Sequence, residues 1–282
     1  MVTEKKPGAM PLDPAALAVG RRFRFVDADG AKGVIRCRFA QPRAVAVTDE
    51  PVSANILLAD PTSAEYLDRF DVIIIREKEA GKFAERLRTW LAGDSDARQV
   101  TVVSTNVGRI RLSGNRAVIQ TSVDHVEDLL SGVVEFGFLN AELRRLEQSL
   151  LPIQTGAPAD VAFAYRIRQS DHRQWDRLGE VMEKLAHLRL AFARLEPRMG
   201  SATATLPIES RRAMSGLLHK TRADDRLEAF SDRLEACEDL YEGAVDRITD
   251  YRWYRRGNLL EIAIVALLGV EVVLLIAEHF WK

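Results

Sequence analysis

Five histidines are the first candidates for chemistry: His125, His172, His187, His219 and His279. Zinc hydrolysis asks for two of them one helical turn apart with a glutamate between, and no HExxH or other zinc spacing occurs. His187 lies beside the apolar stripe of a charged helix and reads as a surface or packing residue. Ala80-Gly81-Lys82 follows an apolar strand, where a phosphate loop would stand. Arg76, however, takes the place of its first glycine, and Phe83 the place of its magnesium-binding hydroxyl. Asp27-Ala28-Asp29-Gly30 resembles the middle of a calcium loop, but Phe25 and Arg36 fall on the first and twelfth ligand positions. It is read as a turn. No GxSxG elbow occurs, and Cys37 and Cys237 stand in no nucleophile context. No catalytic, cofactor-binding or metal-binding residue is assigned, no cofactor is expected, and no small-molecule ligand is evident.

Two sets of charged residues remain. Arg21, Arg22, Arg24, Lys32, Arg36, Arg38 and Arg43 concentrate on a predicted hairpin, where alternation would line several along one sheet face. Such a face either meets RNA phosphates or anionic lipid headgroups, or is the solvated side of a half-buried sheet. The net charge of −1 implies no bulk attraction to nucleic acid. Glu261 and Glu271 are acids inside an apolar run, and an intramembrane acid points to function. Glu271 either stays protonated and donates a hydrogen bond to a neighbouring helix, favouring oligomers, or is a tolerated acid that snorkels to the interface. A single span leaves no room for a transport path.

The apolar run itself, Leu259 to Ile276, is eighteen residues long. As a helix it extends about 27 Å, against a hydrocarbon core about 30 Å thick. Ala277 to Trp281 would complete the crossing. Thirteen Leu, Ile and Val residues favour insertion by about −6 kcal/mol, against about +3 kcal/mol for a central acid. Tyr251, Trp253 and Tyr254 precede the run, and Phe280 and Trp281 follow it, as interfacial aromatic belts do. Arg252, Arg255 and Arg256 outweigh Lys282 beyond the far end, so the positive-inside rule keeps the bulk of the chain in the cytoplasm. Trp253, Tyr254, Arg255, Arg256 and Trp281 are the expected membrane-flanking set. The leader, residues 1–18, is neither a signal nor a transit peptide and is expected to be disordered. The two distant cysteines fit a reducing compartment. Alternatively, the run is the buried C-terminal helix of a soluble helical dimer.

The elements behind these residues divide the chain. Residues 19–121 predict an α+β domain with a mixed sheet. Phe23, Phe25, Val34, Ile35, Cys37 and Phe39 flank the Asp27 turn as a hairpin. Short strands are expected at Val45 to Val47, Ile56 to Leu58, Asp71 to Ile75, Val100 to Val103, Ile110 to Leu112 and Ala117 to Thr121. A helix fills Glu79 to Ala92, closed by Gly93. Residues 122–256 turn helical: one helix from Val123 to Leu151, weakened by Gly132 and Gly137 and punctuated by Pro152 and Pro158. A second runs from Ala159 to Leu195 and stops at Pro197, and a loop containing Gly200 and Pro207 follows. Leu227, Phe230, Leu234, Cys237, Tyr241, Ala244, Ile248 and Tyr251 then form a heptad seam. That seam closes as an antiparallel, coiled-coil-like hairpin on the preceding helix or pairs with a second copy. Residues 257–282 form the anchor, with Gly257 and Asn258 the soft spot before it.

The sequence from Arg226 to Glu235 (RLEAFSDRLE), then Asn258-Leu259-Leu260-Glu261-Ile262, then Gly269-Val270-Glu271-Val272-Val273 resembles the required-for-meiotic-nuclear-division family. This is a domain of unknown function in bacterial and mitochondrial proteins. Its C-terminus is similar: Arg-Leu-Glu steps, a Leu-Glu opening, and an apolar span broken by one Glu, which places Glu261 and Glu271 on recurrent positions. Phe70 to Ile75 is similar to a family strand, without the glycine that strand carries. The resemblance implies a membrane-anchored protein with an N-terminal α+β domain, a helical hairpin and a C-terminal span. Eukaryotic relatives sit in the mitochondrial inner membrane, and one branch supports translation there as a tether. With no transit peptide, a bacterial inner-membrane member is expected. The expected partners are the bilayer, a second copy through the seam or the span, and a ribosome or RNA. The contrasting expectation is a membrane-associated enzyme with a dispersed site.

Overall fold

A computed structural model describes residues 18–60, 66–93, 100–165, 175–200 and 206–280; the side chains of Trp175, Arg252, Arg255, Val272 and 275–280 are outside it. The leader, but for Ala18, and Trp281 lie outside the described residues. Alternation builds the first strand, β1 (Ala18–Asp27): Arg21, Phe23 and Phe25 face one way, Gly20, Arg22 and Arg24 the other. β2 (Ile35–Phe39) and β3 (Val45–Val52) follow, then a short helix α1 (Ala54–Ala59) and strand β4 (Arg69–Arg76). Helix α2 (Ala80–Ala92) leads to β5 (Thr101–Thr105), β6 (Gly108–Ser113) and β7 (Arg116–Thr121). The strands form one seven-stranded sheet in the order β2-β3-β1-β4-β7-β6-β5. All neighbours are antiparallel except β4 and β7, which run parallel from Asp71 opposite Arg116 to Arg76 opposite Thr121.

Helices cover both faces at the centre, which is why Val72 to Ile75 of β4 and Ala117 to Ile119 of β7 are apolar at consecutive positions. On one side α1 and α2 bury Leu57, Leu87, Trp90 and Leu91 against Ile73, Ile75 and Val118. On the other lies the first part of helix α3 (Val126–Tyr165), where the Phe138 ring stacks on Phe39 at 4.6 Å and tilts against Phe25 at 5.4 Å. Helices α4 (Trp175–Gly200), α5 (Ile208–Lys220) and α6 (Ala223–Phe280) complete the chain. The molecule is thus a mixed α+β protein: an N-terminal seven-stranded sheet followed by a helical C-terminal region.

Two compact units are present: Met1–Ser149 with Leu188–Ser231, and Leu150–His187 with Asp232–Lys282. The first holds the sheet, and Phe192 meets Phe230 there at 5.1 Å. The second is helical, with Leu178, Leu185, Leu234, Tyr241 and Ile248 buried.

Several expectations change. The first hairpin does not form: β3 lies between β1 and β2. Val45, Ala46 and Val47 are wholly buried and take the inner place, whereas half-exposed β2 suits an edge. Ile56 to Leu58 is helix, not strand: Ala54 and Leu57 bury at helical spacing while Ile56 is 58% exposed. Pro152 and Pro158 do not end α3, nor does Pro197 end α4. Each removes a helical hydrogen bond, but burial of Leu150, Ile153 and Asp160 holds α3, and burial of Met199 with the Arg198–Glu135 pair at 2.8 Å holds α4. α5 forms after Pro207, in a stretch for which the sequence predicts no element. Gly132 and Gly137 are close-contact positions: a Cβ on Gly137 would reach the Phe70 ring at 2.9 Å, and one on Gly132 would overlap the Ser210 carbonyl.

Candidate functional site

α6 continues without a break through Gly257 and Asn258 into the apolar run. In that run Leu259, Leu260, Ile262, Ile264, Val265, Leu267, Leu268, Val270, Val273 and Leu274 are each more than half exposed. At about 100° per residue these positions cover the whole circumference of the helix. A helix apolar all round needs an apolar environment on every side. Trp253 and Tyr254 before it are exposed, as is Arg256; the Arg255 side chain is outside the description. Glu261 and Glu271 are exposed too, about 80° apart around the helix and about 15 Å along it. Among the described residues no helix is long and apolar enough to cross a membrane. Tail side chains are described without a gap only from Arg256 to Glu271.

The seam lies upstream on the same helix. Leu227, Phe230, Leu234, Cys237, Tyr241, Ala244 and Ile248 are buried within a single chain, and Tyr251 at the end of the seam is half-buried. Tyr241 donates from its hydroxyl to Asp160 at 2.8 Å, and Arg177 pairs with the other carboxylate oxygen. Burial, then the hydrogen bond to Asp160, push the Tyr241 phenol above its ordinary range. Burial likewise raises Cys237.

The arginines of the first strands divide between the two sheet faces, each with acids of its own. On the α3 side Arg21 meets Asp49 at 2.6 Å, and Arg36 meets Glu127 at 2.7 Å and Asp49 at 3.5 Å. On the opposite side Arg22 and Arg69 share the carboxylates of Asp60 and fully buried Asp71. Burial lowers the Arg69 pKa, but hydrogen bonds to Asp71 and Asp60 outweigh it and hold the guanidinium above its usual value. Arg116, 2% exposed, lies 5.4 Å from the Trp90 ring and donates to the carbonyls of Trp90 and Asp60 at 2.6 and 3.0 Å. Arg43 reaches Asp27, Asp68 and Glu142.

These clusters are structural ion networks, and local alternation gave no sign of them. Arg22 and Asp71 are 49 residues apart, Arg36 and Glu127 are 91 apart. On the α3 side, burial pushes the Cys37 thiol up to about 11; Arg36 opposes the rise, while Glu135 and Asp49 add to it. A protonated thiol is a poor nucleophile. Among the described residues no group of three or more His, Cys, Asp or Glu side chains is placed to hold a metal ion. No protein-family model matches this chain, and no curated protein matches it.

Proposed function

We propose that this protein is a membrane-anchored, non-enzymatic scaffold or tether, held by a single C-terminal helix over residues 257–282. In a bacterium the membrane is the inner one, with the sheet unit in the cytoplasm. The observation that carries this reading is the apolar surface on every side of α6 from Leu259 to Leu274. Exposed apolar area on this scale marks a membrane or protein contact, and the Arg252, Arg255 and Arg256 cluster gives the cytoplasmic end. The resemblance to the required-for-meiotic-nuclear-division family adds a role in translation or membrane-complex assembly, with ribosomal or RNA contact a corollary. Glu271 serves assembly, as a polar side chain that hydrogen-bonds across a pair of anchors.

The same surface also fits a soluble dimer that buries its C-terminal helices against each other. Alkaline carbonate treatment of membranes separates the two. The anchored protein stays in the pellet until detergent is added, and release into the supernatant as a dimer would overturn the anchor.

A further inference from the structure

At the carboxyl ends of β4 and β7 the sheet unit holds a cavity of about 590 Å³. β4 and β7 are the parallel pair of the sheet. Ligands of open sheets collect beyond the carboxyl ends of parallel strands. Here Glu77 follows β4, Ser122 and His125 follow β7, and Ala80 and Gly81 open α2; all line the cavity. A Cβ added to Gly81 would touch nothing within 4 Å.

The second observation is Gln120. Its residue is 6% exposed and lines the cavity. Gln120 lies opposite Arg109 in the β6–β7 ladder, and Arg111 lies opposite Val118. Directly opposed residues share a face, so both arginines and Gln120 project to the α2 side, where Val118 is core. Among the described residues neither Arg109 nor Arg111 has a carboxylate partner, in contrast to Arg21, Arg22, Arg36, Arg43 and Arg69 of the same sheet. Two residues apart on one strand, their Cα atoms are about 7 Å from each other, so both guanidinium groups can reach one phosphate.

We propose that this cavity is a binding site for a phosphate ester of a sugar or other polyol. Arg109 and Arg111 hold the phosphate, the Gln120 amide donates to it, and Glu77 accepts from a ligand hydroxyl. The volume suits a small metabolite. No Phe, Tyr or Trp lines the cavity, so a nucleic-acid base finds no stacking platform. This site is independent of the anchor.

Calorimetric titration of the full chain in detergent tests the assignment with three probes: glucose 6-phosphate, inorganic phosphate and a ten-nucleotide oligouridylate. Glucose 6-phosphate is expected to bind more tightly than inorganic phosphate. Arg109→Ala and Arg111→Ala each weaken it about tenfold, and Arg109→Ala leaves the unfolding temperature unchanged because its side chain is exposed. Gln120→Leu, which removes the amide at similar volume, weakens it as well. No binding of glucose 6-phosphate, binding unaffected by the arginine substitutions, or binding of the oligouridylate alone overturns the proposal. Equal affinity for inorganic phosphate and the sugar ester overturns the polyol assignment.

Discussion

Cys37 on β2 holds its proton up to about pH 11, whereas an unperturbed thiol releases it near 9.0. Between those values the native chain binds a proton that the unfolded chain has lost. Its contribution to stability is therefore complete below pH 9 and declines as the pH rises towards 11. Urea unfolding of Cys37→Ala at pH 8, 9.5 and 10.5 is expected to give a flatter alkaline fall than the parent. Parallel curves would show that Cys37 does not set it. Asp71 makes a second residue-scale case. It is fully buried between Arg22 and Arg69, and Asp71→Ala leaves two guanidinium groups with only Asp60. Breaking a buried pair costs about 3 kcal/mol. By contrast Arg24→Ala, whose pair with Glu50 is more than half exposed on both sides, changes stability by about 0.5 kcal/mol or less. Equal shifts of the two urea midpoints would contradict the assignment of Asp71 as the keystone. The arginines of this sheet were visible in the sequence, but their acids were not. A guanidinium paired across 49 residues leaves no local pattern, so a structural network looked like a basic face.

At the scale of elements, apolar periodicity was a good guide where one residue type ran on, as at Phe70 to Ile75, and misled where the helix-breaking residues stood. Glycine and proline report local preference, and here tertiary burial overrode it. Gly132 and Gly137 in α3 admit Ser210 and the Phe70 ring, partners 78 and 67 positions away in sequence. α5 stayed hidden because Ala213, Met214, Leu217 and Leu218 bury at helical spacing among strongly polar neighbours. The glycines of α3 separate contact from propensity. Gly132→Ala places a Cβ against the backbone of α5 and should destabilise by about 2 kcal/mol, despite the better helix former. Gly156→Ala, with open space around it, should stabilise by about 0.5 to 1 kcal/mol. Thermal unfolding of the two variants should move in opposite directions. Destabilisation at both would point to backbone geometry rather than close contact.

For the whole molecule, the decisive feature is that α6 changes character at Gly257 without changing conformation. Upstream, its seam is buried and its polar face solvated; downstream, every described apolar side chain up to Leu274 is exposed. Side chains this exposed contribute little packing to the unit they belong to. Ending the chain at Arg256 should therefore leave the unfolding free energy from urea titration within about 0.5 kcal/mol of the parent, while moving the protein from the membrane pellet to the soluble fraction. A soluble dimer joined through the same helices behaves differently. Its stability depends on protein concentration, and removal of the tail lowers the midpoint and yields a monomer. Sedimentation and urea unfolding of the truncated and full chains, at two concentrations a hundredfold apart, thus distinguish an anchor from a dimer interface. A concentration-dependent midpoint in the full chain, lost on truncation, excludes the anchor as the reason for the apolar tail.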